Sequence, residues 1–172
     1  VNVAKHSNSA VVRNAIIRAD GLELAADSSE VQAVVSAASG YSDASIGVGG
    51  AVTVLVGSAK TLALVENNAD LTLGSGGLNI SAAADTSFEN EADGSAKGQG
   101  SSLGVGASIA VSVTGVDTLA WVEDGVAIKS LIPDGIGSVN IEANTVESSL
   151  VSARAGSAGG ISVTPVLALG VS

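Results

Sequence analysis

One phrase, written three times, constrains this chain more than anything else in it. Ile46-Gly-Val-Gly-Gly-Ala-Val-Thr-Val-Leu-Val56 returns as Leu103-Gly-Val-Gly-Ala-Ser-Ile-Ala-Val-Ser-Val113 and again as Ile161-Ser-Val-Thr-Pro-Val-Leu-Ala-Leu-Gly-Val171. The spacings are 57 residues (46 to 103) and 58 (103 to 161). A strand-like segment recurring at a fixed period marks a repeat architecture, in which each unit buries its apolar surface against its neighbours.

The text after each phrase repeats as well. Thr61-Leu-Ala-Leu-Val-Glu66 corresponds to Thr118-Leu-Ala-Trp-Val-Glu123, followed by the turn dipeptides Asn67-Asn68 and Asp124-Gly125. Leu78-Asn-Ile-Ser-Ala82 corresponds to Val139-Asn-Ile-Glu-Ala143, with the later copy longer around Leu131-Ile-Pro-Asp-Gly135. The first 45 residues enter the pattern part-way. There Val3 takes the place of Val56 and Val113, Ser9–Val12 that of Leu62–Val65, and Leu22-Glu-Leu24 that of Leu78-Asn-Ile80. Glu30 to Gly40 matches Glu147 to Gly156 with one gap. The chain therefore divides into a partial repeat (1–45), two whole repeats (46–102 and 103–160) and the start of another (161–172), and reads as one segment excised from a longer array.

Apolar residues alternate within each unit, which is the signal of half-buried strands. The alternation predicts Val52, Val54, Val56, Ile109, Val111 and Val113 on the core side, with Leu71, Leu73, Leu78, Ile80 and Ala82. Thr53, Thr72, Asn79, Ser112 and Asn140 then face outward. Ser28–Ala38 has some helical character, but its counterpart at 146–155 is richer in Ser and Val, so both are read as strands. Short strands with Gly, Asn and Asp turns stack either as a parallel solenoid or as an antiparallel sandwich. A sandwich domain needs about 100 residues, so a period near 57 favours the solenoid. A unit of this length is expected to supply two or three coils.

Composition agrees. Hydrophobic residues make up 46% of the 172, with one Phe, one Tyr, one Trp and no Met. The core must be built from Val, Ile, Leu and Ala, as a regular stack allows. The net charge of −10 argues against nucleic acid, whose partners need clustered Lys and Arg, and against anionic membrane surfaces. Without cysteine there is neither a disulfide nor a thiolate metal site. No apolar run nears the ~20 residues of a membrane-spanning helix.

Sites of chemistry are sparse. His6 is the only histidine, lies in Lys5-His-Ser-Asn-Ser9 and reads as an exposed turn residue. Gly47-Val-Gly-Gly-Ala-Val52 and Gly104-Val-Gly-Ala-Ser-Ile109 lack the last glycine of a dinucleotide fingerprint, and neither has the Lys-Ser/Thr of a phosphate loop. The seven basic residues are scattered singly, so no polysaccharide-cleaving groove is expected. The carboxylates Glu66, Asp70, Glu123 and Asp124 fall at equivalent turns and are the candidates for calcium, which takes six to eight oxygens. Glu89, Glu91 and Asp93 alternate along one strand face and form a weaker set. Asn79-Ile-Ser81 is a formal glycosylation sequon within a strand. Trp121, where the earlier copy has Leu64, is expected to point outward, either covering a neighbouring strand or offering a contact for a partner or a sugar.

Three phrases carry a resemblance: Gly-Val-Gly-Ala-Ser-Ile-Ala-Val-Ser-Val, Thr-Leu-Ala-Trp-Val-Glu-Asp-Gly-Val-Ala-Ile and Val-Asn-Ile-Glu-Ala-Asn-Thr. With them the chain resembles, over essentially its whole length, the repeat region of giant bacterial filamentous adhesins of the filamentous-haemagglutinin and leukotoxin type. Val11-Val-Arg-Asn-Ala-Ile-Ile-Arg-Ala-Asp-Gly21 departs most from that pattern. The resemblance implies an all-β, right-handed parallel β-helix (β-solenoid), location outside the cell or on the bacterial surface, and a non-catalytic role as stalk or fibre. Its partners would be neighbouring repeats of the same parent chain, other copies joined end to end or sideways, and a host or neighbouring cell surface. The alternative is a calcium- or carbohydrate-binding module using the acidic turns or Trp121.

Overall fold

The computed structural model describes residues 1–39, 46–96, 103–157 and 160–172. Within them every element is a strand: β1 (Asn2–Arg13), β2 (Ile16–Ala38), β3 (Ile46–Glu66), β4 (Asp70–Asp93), β5 (Leu103–Val122), β6 (Ala127–Ser130), β7 (Val139–Arg154), β8 (Ile161–Val163) and β9 (Val166–Val171). They form two sheets, and all described pairings are parallel. The first sheet runs β1, β3, β5, then β8 and β9; the second runs β2, β4, then β6 and β7. The chain crosses from one sheet to the other after every long strand and returns one strand further on.

The pairing register is the sequence repeat. Ile46 sits on Leu103 and Leu103 on Ile161; Val3 sits on Val56 and Val56 on Val113; Leu22 sits on Leu78 and Leu78 on Val139. Each period supplies one strand position to each sheet, so the expected two or three coils per unit are not found. The strands are instead about 20 residues long: β3 has 21 and β4 has 24. Departures from strict period are absorbed locally. Ser29 and Glu30 oppose the single residue Asp85, which is a bulge with Glu30 at φ 58°. The longer later copy opens between β6 and β7, at 131–138, without moving either strand off its ladder.

At one end of the sheets the crossings are tight. Asn14 and Ala15 join β1 to β2, while Asn67, Asn68 and Ala69 join β3 to β4. Asn14, Asn67 and Asn68 take positive φ, the left-handed region that Asn tolerates best among residues bearing a side chain. Asn14 N–H donates to the Asn67 carbonyl, so consecutive turns are bonded too.

Between the sheets the core tapers. Beside the tight turns it holds Val65, Leu71, Leu73, Leu78 and Ile80 with Ala26, Ala63 and Ala82. Midway it is Leu55, Phe88 and Ala33, and at the far end only Ala51, Ala92 and Ala110. The large side chains come mostly from the second sheet, whose strand β4 buries Leu71, Leu73, Leu78, Ile80 and Ala82 as the alternation predicts, and Phe88 beyond them.

The first sheet corrects the expectation. In β3 and β5 it is Gly47, Gly49, Ala51, Thr53, Leu55 and Gly104, Gly106, Ser108, Ala110, Ser112 that are buried, while Val52, Val56, Ile109 and Val113 are exposed. Val54 and Val111, on the same outer parity, are partly exposed. Thr53 and Ser112 therefore face inward, opposite to the sequence reading. Available space decides this. A Cβ on Gly49 would lie 2.7 Å from the Ser95 carbonyl oxygen, and one on Gly106 would lie 2.7 Å from those of Gly94 and Gly156. Those glycines must point inward, and period two then sends the valines outward. In the second sheet no such constraint acts, and Thr72 and Asn79 take the predicted outer side. On that outer surface Asn140 Nδ2 donates to Asn79 Oδ1 at 3.0 Å.

Candidate functional site

The two outer faces differ in chemistry. On the second sheet the outward positions of β2, β4 and β7 carry Glu23, Asp27, Asp85, Glu89, Glu91 and Glu142, interspersed with Arg18, Arg154 and the exposed Val34, Val146 and Leu150. On the first sheet the three copies of the opening phrase lie side by side and turn an aliphatic surface to solvent. Ile46, Leu103 and Ile161 form one row across it; Val48, Val105 and Val163 the next; then Val52, Ile109 and Leu167; then Val54, Val111 and Leu169. Val3, Val56, Val113 and Val171 make a row of four. Val48 is 68% exposed and Val52 64%. No charged residue occurs in 46–56, 103–113 or 161–171. A polar band at Ser58, Lys60 and Asp117 borders this surface, and beyond it lies a smaller apolar row of Val11, Leu64 and Trp121.

Trp121 points outward, as the alternation predicts, and is 53% exposed next to an exposed Leu119. Its inward neighbours Ala120 and Val122 pack against the core beside the tight turns.

The acidic turns do stack. Glu123 N–H donates to the Val65 carbonyl at 2.9 Å, and Glu123 accepts the Asn67 N–H at 2.7 Å, so this carboxylate caps the preceding turn. Glu66 is engaged by the Arg13 guanidinium. Asp70 takes the Lys129 ammonium at 2.5 Å. Asp124 is exposed in its turn. Glu89, Glu91 and Asp93 share the outer face of β4, where Arg154 lies 3.4 Å from Glu91. Among the described residues no three His, Cys, Asp or Glu side chains converge as metal ligands would. Each ion pair joins one strand to the next in the same sheet and stands half in solvent, where such pairs contribute about 1 kcal/mol or less.

His6 is exposed, but on strand β1 rather than in a turn. It pairs with Ala59, a buried position, so it occupies an inward register and is open only because β1 has no further strand over it. It lines a cleft of about 500 Å³ with Lys5, Glu30, Gln32 and Phe88, the open end of the space between the sheets. Asn79, the sequon residue, lies within β4 on its outer face. The polar text of 85–102 predicts, in its later part, a loop or strand edges with a protruding turn; residues 97–102 lie outside the described residues, and the stretch up to Asp93 continues β4.

What sequence reasoning missed is the aliphatic face. The signal was present in the glycines: a strand alternating Gly and Val can bury either set, and the need for close approach chooses Gly. Comparisons with protein-family models, with curated proteins and with solved structures found no match.

Proposed function

We propose that this chain is a structural segment of an extracellular bacterial adhesin, a right-handed parallel β-solenoid that projects or connects binding regions and carries out no catalysis. The observation that carries the reading is the parallel ladder: along the paired stretches of both sheets residues stand on their equivalents one period away, with the departures confined to Asp20, Ser29 and Glu30, 131–138 and 164–165. Such a stack extends by adding periods and is held by neighbours alone, which suits a load-bearing column. The right hand is that of about 98% of parallel crossovers. Val139 and Ile141 add support. They stand on the buried Leu78 and Ile80 but are 51% and 47% exposed, so their register is made for another rung above.

Magnitudes set what this implies. One period adds ~4.8 Å along the stack, whereas a 21-residue strand is ~70 Å long. A column as tall as it is wide takes on the order of 14 periods. Three periods make a slab, so a stalk or fibre requires a long array in the parent chain or copies joined end to end. The test is to join the repeat in tandem and measure particle height by scattering or electron microscopy. The reading expects ~5 Å per added period; a gain of tens of ångströms, as from beads on a string, would defeat it.

The binding-module alternative rests on Trp121, the exposed aromatic among its candidates. Calorimetry with calcium and with glycans tests it. Heat of binding that vanishes in Trp121→Ala would favour it over the structural reading.

A further inference from the structure

We propose that two copies of this chain pair face to face through the aliphatic outer surface of the first sheet, about a two-fold axis lying in the plane of contact. This goes beyond the structural reading and does not depend on it, since any slab with this face would pair in the same way.

Size is the first argument. The surface formed by 46–56, 103–113 and 161–171 is three strands wide and eleven residues long. At ~3.3 Å per residue and ~4.8 Å between strands it covers roughly 500 Å² as a flat footprint. Two such faces remove on the order of 1,000 Å² from water, to which side-chain relief adds, and this reaches the size of a specific interface. Sheets pack face to face ~10 Å apart when both present branched aliphatic side chains, and here both do.

Charge is the second. The net charge of −10 works against any self-association that brings acidic surfaces together. The outer face of the second sheet is acidic and repels its own copy. The aliphatic face carries no charge over all three phrases, so of the two outer sheet faces it is the one that meets a copy of itself without like-charge cost. A two-fold pairing needs one self-complementary patch, which this surface supplies. A lipid surface is the poorer occupant. Elements that lie on membranes present Lys and Arg beside Trp or Phe, and the three phrases contain none of these.

The experiment is sedimentation velocity of the 172-residue chain over a wide concentration range, with the doubly substituted Val52→Lys/Ile109→Lys chain beside it. Circular dichroism reports whether each variant folds, and Val52→Thr/Ile109→Thr is the milder pair if the lysines prevent folding. Expected is a reversible dimer in the parent chain, weakened by more than about 100-fold by the lysine pair, since like charges meeting across an interface cost several kcal/mol. Asn79→Lys, on the opposite face, is expected to leave the dimer intact. Three results would overturn the proposal. One is a monomer at every concentration. Another is association unchanged by the outer-face substitutions yet abolished by Ile141→Lys, which places it at the open rung. The third is a monomer that floats with neutral lipid vesicles, which makes the face a lipid-binding surface.

Discussion

Gly57 of β3 lies beneath the ring of Phe88 in β4, so close that a Cβ on Gly57 would stand 2.7 Å from Phe88 Cδ1. Among the described residues Phe88 is the largest fully buried side chain, 1% exposed, and it is seated where the facing strand offers no side chain at all. The core between the sheets is filled from one side at a time. Where the second sheet places a ring, the first places a glycine.

That relationship is testable as a double-mutant cycle. Gly57→Ala overpacks the site and is expected to cost about 1–3 kcal/mol. Phe88→Ala opens a cavity and is expected to cost about 3–5 kcal/mol. In the double variant the new methyl occupies part of the vacated space, so the combined loss falls short of the sum by about 1 kcal/mol. Urea denaturation of the four proteins measures this; strict additivity would show that the two residues do not share the space.

The tapering core predicts a sharp contrast between two glycines. A Cβ on Gly94 would fall on the Ala107 carbonyl, which is backbone and cannot swing aside. Gly94→Ala is therefore expected to lose about 3 kcal/mol. Gly115 has nothing within 4 Å of its Cβ position, and Gly115→Ala is expected to gain about 0.5 kcal/mol because alanine loses less chain entropy in a strand. Thermal melts check both. Each kcal/mol moves the midpoint by about 2–4 °C in a chain of this size.

The inward turn of Thr53 and Ser112 leaves a cost that can be removed. Both hydroxyls are buried without a hydrogen-bond partner, and an unsatisfied buried polar group costs about 1–3 kcal/mol. Thr53→Val keeps the shape and is expected to stabilise by about 1 kcal/mol, and Ser112→Ala to be neutral or stabilising. If Thr53 instead faced water, Thr53→Val would change stability by less than about 0.5 kcal/mol.

The ion pairs between rungs should matter little. Arg13→Ala, which frees Glu66, is expected to cost less than about 1 kcal/mol, and moderate salt should shrink even that. A larger effect that persists in high salt would mean that Arg13 contributes through packing along its aliphatic stem.

Much of this fold was legible in the sequence. The three-fold phrase gave the ladder itself, down to Val3 on Val56 on Val113 and Ser9 on Leu62. The one gap needed to match Glu30–Gly40 to Glu147–Gly156 corresponds to a bulge at Ser29 and Glu30, a place the text alone did not fix. Two things were not legible, for physical reasons. The number of strands per period depends on where the chain turns, and Gly-rich text such as Gly74-Ser-Gly-Gly77 looks like a turn although it continues β4 across from Asp20. The inward phase of the opening phrase depends on what faces it. Hydrophobicity favours burying Val52 and Ile109, but the backbone at Ser95 and the ring of Phe88 leave room only for Gly49 and Gly57. Among the candidate site residues, Trp121 could be oriented from the alternation. The partners of Glu66 and Asp70 could not be, because Arg13 and Lys129 are far away in sequence and near only through the register.

The most direct test of this account is the direction of the opening phrase. The chain has no cysteine, so Val52→Cys and Thr53→Cys each introduce a unique thiol on adjacent residues of β3. With the protein dilute enough to be monomeric, the rate of modification by a water-soluble thiol reagent reports which side faces solvent. The account predicts rapid reaction for Val52→Cys in the native state and protection of Thr53→Cys until unfolding. Protection at 52 with rapid reaction at 53 would contradict it, and would return the valines to the core.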